Sequence, residues 1–308
     1  MRKSITFLAL LALIVVFAIY KTAHTQAQGQ GQGGPPEVII HRVNPHNVGE
    51  ALTPGSTAAL SPITNHGGPV MPNTINIYYI WYGDWNQANS TDTPAGQQIL
   101  RDFANNIGGS DHFAINKTYG VSGAVTFKGE TTDTGTSKRL TDANIKTIVS
   151  NAISSGRLLS DPNGVYFVLT SSNVTASSGF CTKYCGWHTW GTISGFNIKY
   201  SFVGNAARCI SACAAQSVGP NGNAGVDGMV SVLAHELEEA ASDPNLNAWY
   251  DSSGAENADK CAWTFGSRQT QLPSGAWYNV TLGTRNYLIQ RNLKTDNKCY
   301  IDGVNNIQ

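Results

Sequence analysis

Six cysteines constrain the fold of this chain more than any other feature. An even number of cysteines in an exported chain is typical of disulfides, although two CxxxC pairs could also hold zinc. Structural zinc knuckles are usually CxxC, so the spacing favours disulfides. The pairing stays open, and Cys261–Cys299 is our first expectation because the other four form two close clusters that could pair within or between themselves. The six lie late in the chain: Cys181, Cys185, Cys209, Cys213, Cys261 and Cys299.

The N-terminus has the layout of a secretory signal peptide. Arg2 and Lys3 precede an apolar run from Ile5 to Tyr20, and small or polar residues follow through Ala27. The run is short for a transmembrane span, which needs ~20 apolar residues. We therefore predict a secreted, extracellular protein with no membrane contact after signal cleavage. A retained N-terminal anchor is the alternative.

Composition divides the chain into four parts. We predict a signal peptide over 1–27, a Gln/Gly/Pro-rich linker and lead-in over 28–62, a globular domain over 63–304 and a tail over 305–308. Twenty basic and twenty acidic residues give no net charge. Because nucleic-acid binding usually needs a basic patch, nucleic acid is excluded as a partner. Oligomeric state is left open by the sequence.

The globular part mixes strand and helix patterns. Apolar and aromatic runs predict buried strands over 75–82 and 165–170, with further candidates over 124–128 and 193–203. Helices are predicted over 94–107, and again after a Thr141 cap until Gly156. No regular βαβ repeat is evident. The sequence therefore predicts a single α+β domain stapled by disulfides.

Residues 225–244 carry the most informative pattern. On a helix, five apolar residues of this segment form one stripe, while Asp227 is a plausible N-cap and Pro244 ends the helix. The opposite arc carries one imidazole and four carboxylates with no Lys or Arg: His235, Glu236, Glu238, Glu239 and Asp243.

Two interpretations of this acidic arc are open. A run of charge is often a solvated helix face. However, carboxylates one turn apart repel each other, and an ordinary exposed helix mixes signs. A bound cation would turn that repulsion into attraction, so the arc also predicts a metal site.

The motif resembles the HExxH helix of zincin metallopeptidases, here written HExxE. His235 and Glu239 are one turn apart and can reach one ion, while Glu236 stands where zincins hold their general base. Asp251, Glu256 and Asp259 follow in a polar loop before Cys261, and Glu256 is the first choice for a third ligand. The predicted ligands are His235, Glu239, Asp243, Glu256 and Asp259, with Zn²⁺ favoured over Ca²⁺ or Mn²⁺.

His188 is a weaker candidate. It lies in CGWHTW, beside the first CxxxC pair, and is either a core histidine or a residue that faces the site.

Several segments together resemble the exordium/phosphate-induced protein 1 family. They are HGGPV with INIYYIWYGDW (66–85), GFCTKYCGWH (179–188), YSFVGN with Cys209 and Cys213, GVDGMVSVLAHE (225–236) and Cys299. The resemblance covers residues 64–304 and implies a secreted, cell-wall or apoplast type of protein, linked in plants to growth. Plant members carry small or apolar residues where His235, Glu236 and Glu239 stand, so this chain looks like a microbial branch that keeps a zincin-like helix.

The sequence therefore supports two functional hypotheses. One is a secreted, metal-dependent, zincin-like peptidase that acts on extracellular peptides, with Glu236 as its base. The other is a non-enzymatic extracellular module that binds a cell-wall polymer or a protein partner through its many Trp and Tyr side chains.

Overall fold

The computed structural model describes residues 61–303. The predicted signal peptide, almost all of the predicted linker and lead-in, and the predicted tail lie outside the described residues.

A five-stranded sheet forms the centre of the domain, in the order β3-β2-β5-β8-β7. Neighbouring strands run parallel from β3 to β8, and only the edge strand β7 is antiparallel to its neighbour. The central strands β2 and β5 are almost entirely buried and rich in β-branched and aromatic residues, as strands covered on both faces require. The five strands are β2 (Ile75–Tyr82), β3 (Val125–Asp133), β5 (Gly164–Thr170), β7 (Gly186–Ile193) and β8 (Phe196–Val203).

Two capped helices connect the first parallel strands. Helix α1 (Pro94–Asn106) lies between β2 and β3, and the Thr93 side chain accepts a hydrogen bond from its first turn. Helix α2 (Asp142–Ser154) lies between β3 and β5 and begins with a capping box formed by Thr141 and Asn144. These elements match the predicted ones closely.

The domain is a mixed α/β fold, so the α+β prediction is only partly confirmed. A single domain that combines strands and helices is found, since residues 61–303 belong to one compact unit. The expectation that the chain lacks βαβ units is wrong, because α1 and α2 join parallel strands as βαβ crossovers. A 3-10 helix, Phe113–Tyr119, lies between α1 and β3 in the chain. It interrupts the strand–helix–strand order, so the βαβ unit is less evident in the sequence.

The remaining elements are short. Helix α3 is Ile210–Cys213. Among residues 61–303, no helix is long and apolar enough to cross a membrane. Two-residue or three-residue strands pair as β1 with β9, β4 with β6, β10 with β11, β12 with β13 and β14 with β15. Their bounds are β1 Thr64–Asn65, β4 Arg139–Leu140, β6 Thr175–Ala176, β9 Trp249–Tyr250, β10 Thr270–Gln271, β11 Trp277–Tyr278, β12 Val280–Leu282, β13 Arg285–Tyr287, β14 Asn292–Leu293 and β15 Cys299–Tyr300.

Helix α4 (Ala224–Ser242) is the buried helix that carries the HExxE motif. It packs against β7, β8 and α1, and every residue from 225 to 242 is buried. Asn223 caps it, so the prediction of Asp227 as the cap is wrong; Asp227 instead accepts hydrogen bonds from the backbone and side chain of Asn221. Asp243 is the C-cap, and Pro244 follows it as predicted.

The six cysteines form three disulfides, so the disulfide prediction is confirmed. The bridges are Cys181–Cys209, Cys185–Cys213 and Cys261–Cys299. The predicted Cys261–Cys299 pair is correct, and the two CxxxC segments pair with each other rather than within themselves. Three disulfides are typical of proteins that fold in an oxidising, extracellular type of compartment.

Candidate functional site

The buried arc of α4 meets β7 and the loop after β9 at a cluster of ionisable side chains, here called the His–Glu cluster. Because the arc carrying the motif is buried, the alternative of a solvated acidic face is wrong. Edge strand β7 contributes one histidine, α4 contributes three residues, and the loop after β9 contributes two. The cluster consists of His188, His235, Glu236, Glu239, Glu256 and Asp259.

One part of the cluster is centred on His235. Its Nε2 atom lies 2.8 Å from Oε1 of Glu239, one helical turn further on, and 3.6 Å from Oδ1 of Asp259. The backbone N–H of Asp259 donates a hydrogen bond of 3.0 Å to the same Glu239 oxygen. Three of the five predicted metal ligands are therefore brought together around His235, and a fourth, Glu256, lies in the other part of the cluster.

The other part is centred on His188. Its Nδ1 atom lies 3.7 Å from Oε2 of Glu236 and 3.6 Å from Oε2 of Glu239. Its Nε2 atom lies 3.8 Å from Oε2 of Glu256 and 3.4 Å from the backbone carbonyl of Asp243. His188 is thus a fully buried histidine, and its ring faces the carboxylates of the cluster.

Gly186 on β7 makes room for Glu236. A Cβ atom at this position would lie 2.8 Å from Oε1 of Glu236 and 2.6 Å from Cγ1 of Val232. The absence of a side chain therefore lets the edge strand approach α4 closely at the motif.

The loop that carries Asp259 is fixed by a disulfide. Asp259–Cys261 forms a single turn of 3-10 helix, and Cys261 is bonded to Cys299. The disulfide therefore ties the turn that carries Asp259 to strand β15.

Opposite charges set the titration of His235 and Glu239. Burial lowers the pKa of His235, but the carboxylates of Glu239 and Asp259 act against it and hold the pKa well above its usual value. Burial raises the pKa of Glu239, while His235 lowers it, and the net pKa is below its usual value. In the protein without an ion, an imidazolium–carboxylate pair thus occupies this position.

Three other carboxylates, which were predicted as ligands or flank the motif, form hydrogen bonds or ion pairs with residues outside the cluster. Asp243, predicted as a ligand, uses Oδ1 to accept hydrogen bonds from the backbone of Asn247 and Ala248 at the end of α4. Asp251 lies 2.6 Å from Nζ of Lys260, outside the cluster. Oε1 of Glu238 lies 3.1 Å from Nε2 of His112, a buried histidine that the sequence did not single out.

The donor atoms fall into two overlapping sets that could hold a metal ion. His188, Glu236 and Glu239 form one set, and His235, Glu239 and Asp259 form the other, with all atoms of a set within 4.8 Å of one another. Imidazole nitrogens and carboxylate oxygens are ligands that Zn²⁺ accepts. Five of the six cluster residues are almost completely buried, so the space between them is closed to solvent on most sides.

The chain matches a known family and several curated plant proteins. The model for the phosphate-induced protein 1 conserved region matches residues 63–298. Protein EXORDIUM-like 3 of Arabidopsis thaliana is 33% identical over 271 residues, which cover 73% of this chain and 78% of the relative. Protein PHOSPHATE-INDUCED 1 of Nicotiana tabacum is 27% identical over 271 residues, covering 73% and 82%.

A further relative is matched over a smaller share of its length. Protein EXORDIUM-like 5 of Arabidopsis thaliana is 34% identical over 241 residues, which cover 66% of this chain and 64% of the relative. The chain thus spans just under two thirds of that protein. No solved structure matches the chain. With a family model that covers most of its length and these relatives, the chain belongs to the phosphate-induced protein 1 family of exordium-like proteins.

Proposed function

We propose that this secreted exordium-like protein binds a divalent metal ion in the His–Glu cluster. The observation that carries the proposal is the burial of two imidazoles among four carboxylates with donor atoms within a few ångströms. Two histidines favour Zn²⁺ over Ca²⁺ or Mn²⁺, since imidazole suits zinc while Ca²⁺ prefers oxygen ligands.

Charge supports the presence of a cation. If all four carboxylates are ionised and both imidazoles are protonated, the cluster still carries an excess of two negative charges. Unbalanced charge in a protein interior costs several kcal/mol per ion. A divalent cation bound through one of the two histidines releases one imidazole proton, because a ligating histidine is neutral, and it lowers the excess to one negative charge.

We place peptide hydrolysis second to metal binding. The position of Glu236 directly after His235 favours a zincin-like base. However, Glu236 is 0% exposed, and a base must come within hydrogen-bond reach of a substrate or its water. The enclosed position favours an ion that stabilises the fold over one that performs catalysis.

Binding of a cell-wall polymer through stacked aromatic rings has less support. Among residues 61–303 no Trp or Tyr side chain is fully exposed, and the exposed large apolar residues are Leu159, Phe196 and Val218. The most accessible of these rings are half-buried: Trp190, Trp249, Tyr250, Trp277 and Tyr278.

Metal analysis of the secreted protein tests the proposal. We expect bound zinc by elemental analysis, and a lower melting temperature after chelation that returns when zinc is added, because a ligand that binds only the folded state stabilises it. Glu239→Ala should remove both the metal and the chelator response. Glu238→Gln is the matched control, because it removes a neighbouring buried carboxylate that pairs with His112 rather than with the cluster.

The opposite result is equally clear. Folded protein that carries no metal, and whose melting temperature is the same with and without chelator and zinc, would end the proposal.

A further inference from the structure

We infer that the His–Glu cluster holds two divalent ions, with Glu239 as the bridging carboxylate and Glu236 as a ligand rather than a base. This inference rests on the proposed function, which requires only one ion. It assigns a ligand role to His188, which the HExxE motif alone does not contain.

The two oxygens of Glu239 face different ligand sets. Oε1 lies 2.8 Å from Nε2 of His235, in the set completed by Asp259. Oε2 lies 3.6 Å from Nδ1 of His188, in the set completed by Glu236. Glu239 is the one residue that the two sets share. A carboxylate placed in this way can bind one ion through each oxygen, and paired metal ions in proteins commonly lie ~3.5–4 Å apart.

The second oxygen of Glu239 also lacks a hydrogen bond. Oε2 is fully buried and accepts none, whereas Oε1 accepts from the backbone N–H of Asp259. A buried carboxylate oxygen without a hydrogen bond is costly unless an ion lies against it. Of the two Glu239 oxygens, Oε2 is therefore the one that a bound cation would stabilise more.

The orientation of His188 is typical of a metal ligand. Its Nδ1 atom faces the two carboxylates, while Nε2 faces the backbone carbonyl of Asp243 at 3.4 Å. Metal-bound histidines usually donate their other ring N–H to a carbonyl or carboxylate, which fixes the ring and its tautomer. His188 has such an acceptor in place at the end of α4.

Charge distinguishes one ion from two. With neutral, ligating imidazoles, the carboxylates of the cluster supply four negative charges when ionised: Glu236, Glu239, Glu256 and Asp259. One divalent ion leaves half of that charge unbalanced in a buried site, and two ions balance it. The adjacent Lys260 does not reduce the excess, because its ammonium group pairs with Asp251.

Metal stoichiometry decides between the two arrangements. The full secreted chain is stripped with chelator, incubated with excess zinc, freed of unbound metal by gel filtration and analysed for zinc per chain. We expect two zinc ions in the native sequence, one in His188→Ala and one in His235→Ala. Glu238→Gln should retain two.

A second measurement needs no variant. The stripped native chain is loaded with Mn²⁺, and its electron paramagnetic resonance spectrum should show a spin-coupled pair of ions. One zinc per chain with an uncoupled Mn²⁺ spectrum would overturn the two-ion inference and leave the proposed function standing. No zinc at all would overturn both.

Discussion

Nε2 of His112 lies 3.1 Å from Oε1 of Glu238, and both side chains are buried. The other ring nitrogen of His112 lies 2.8 Å from the backbone carbonyl of Ile301. Burial lowers the pKa of this histidine, but the Glu238 carboxylate outweighs burial and the net pKa is raised. Glu238 and Glu239, which are about 100° apart around α4, therefore have different partners: Glu238 pairs with His112, and Glu239 faces the His–Glu cluster.

Asp227 should make the folded protein more stable at low pH than at neutral pH, which is the opposite of the effect of a carboxylate with a lowered pKa. Burial raises its pKa to about 6, although Asn221 donates hydrogen bonds to both of its oxygens. The raised pKa means that the contribution of Asp227 is fully present below about pH 4 and is lost as pH rises through about 6. The loss amounts to about 3 kcal/mol of unfolding free energy.

Asp227→Asn removes this titration. We expect the difference in unfolding free energy between the native chain and the variant to change between pH 4 and pH 6.5, measured by urea denaturation. Taking the difference cancels other titrations that both proteins share. Parallel stability curves over that range would show that Asp227 is ionised without penalty.

Gly186→Ala should disturb the cluster, and Gly191→Ala should not. The new Cβ at Gly186 would lie 2.8 Å from Oε1 of Glu236, whereas at Gly191 on the same strand the nearest atom is Cε of Lys146, at 3.1 Å. The long lysine side chain can move aside, while buried Glu236 cannot. We expect weaker zinc binding and a melting temperature several degrees lower for Gly186→Ala only, by titration calorimetry and thermal unfolding.

The Cys261–Cys299 bridge should contribute to both stability and metal binding. It closes a segment with a sequence separation of 38, and its loss in Cys261→Ser/Cys299→Ser should lower the unfolding free energy by about 4 kcal/mol. Zinc affinity should also fall, because Asp259 is held in the same turn as Cys261. Cys181→Ser/Cys209→Ser is the control, with a similar stability loss and unchanged affinity. Equal zinc affinities in the two variants would show that the Cys261–Cys299 bridge does not contribute to metal binding.

In a host that glycosylates exported proteins, the Asn-x-Ser/Thr sequences at Asn116, Asn173 and Asn279 should differ in glycosylation. Asn173 is exposed, whereas Asn116 is 0% exposed and its carbonyl accepts from Asn257 and Asn292. The Asn279 amide donates to two backbone carbonyls. We expect glycan on Asn173 and none on Asn116 or Asn279, by peptide mass spectrometry. Glycan on Asn116 in folded protein would contradict its buried position.

Local patterns in the sequence were sufficient to locate most of the elements. The run 75–82 coincides with strand β2, and Thr141 caps its helix as predicted, because a buried strand and a capped helix depend on adjacent residues. The parallel order of the sheet was not predictable in this way, since it depends on pairings between distant segments.

The same distinction applies to the site. His235 and Glu239 follow from the period of one helix, and Asp259 was found because it lies in a polar loop next to a cysteine. His188 was left undecided, since only the packing of β7 on α4 brings it to Glu239. The cap lies at Asn223, four residues before the predicted Asp227, because Asn and Asp are equally suited to this position and residue type alone does not choose between them.

The two disulfides between the CxxxC segments enclose the β7–β8 hairpin. Its tip is exposed at Ser194, Gly195 and Phe196, and an aromatic residue there is a natural cleavage point for chymotrypsin. A cut at the tip would leave two polypeptides that remain joined through Cys181–Cys209 and Cys185–Cys213. Such nicked protein would migrate as one band without reductant and as two bands with it, and the strand that carries His188 would stay covalently attached to the domain it completes.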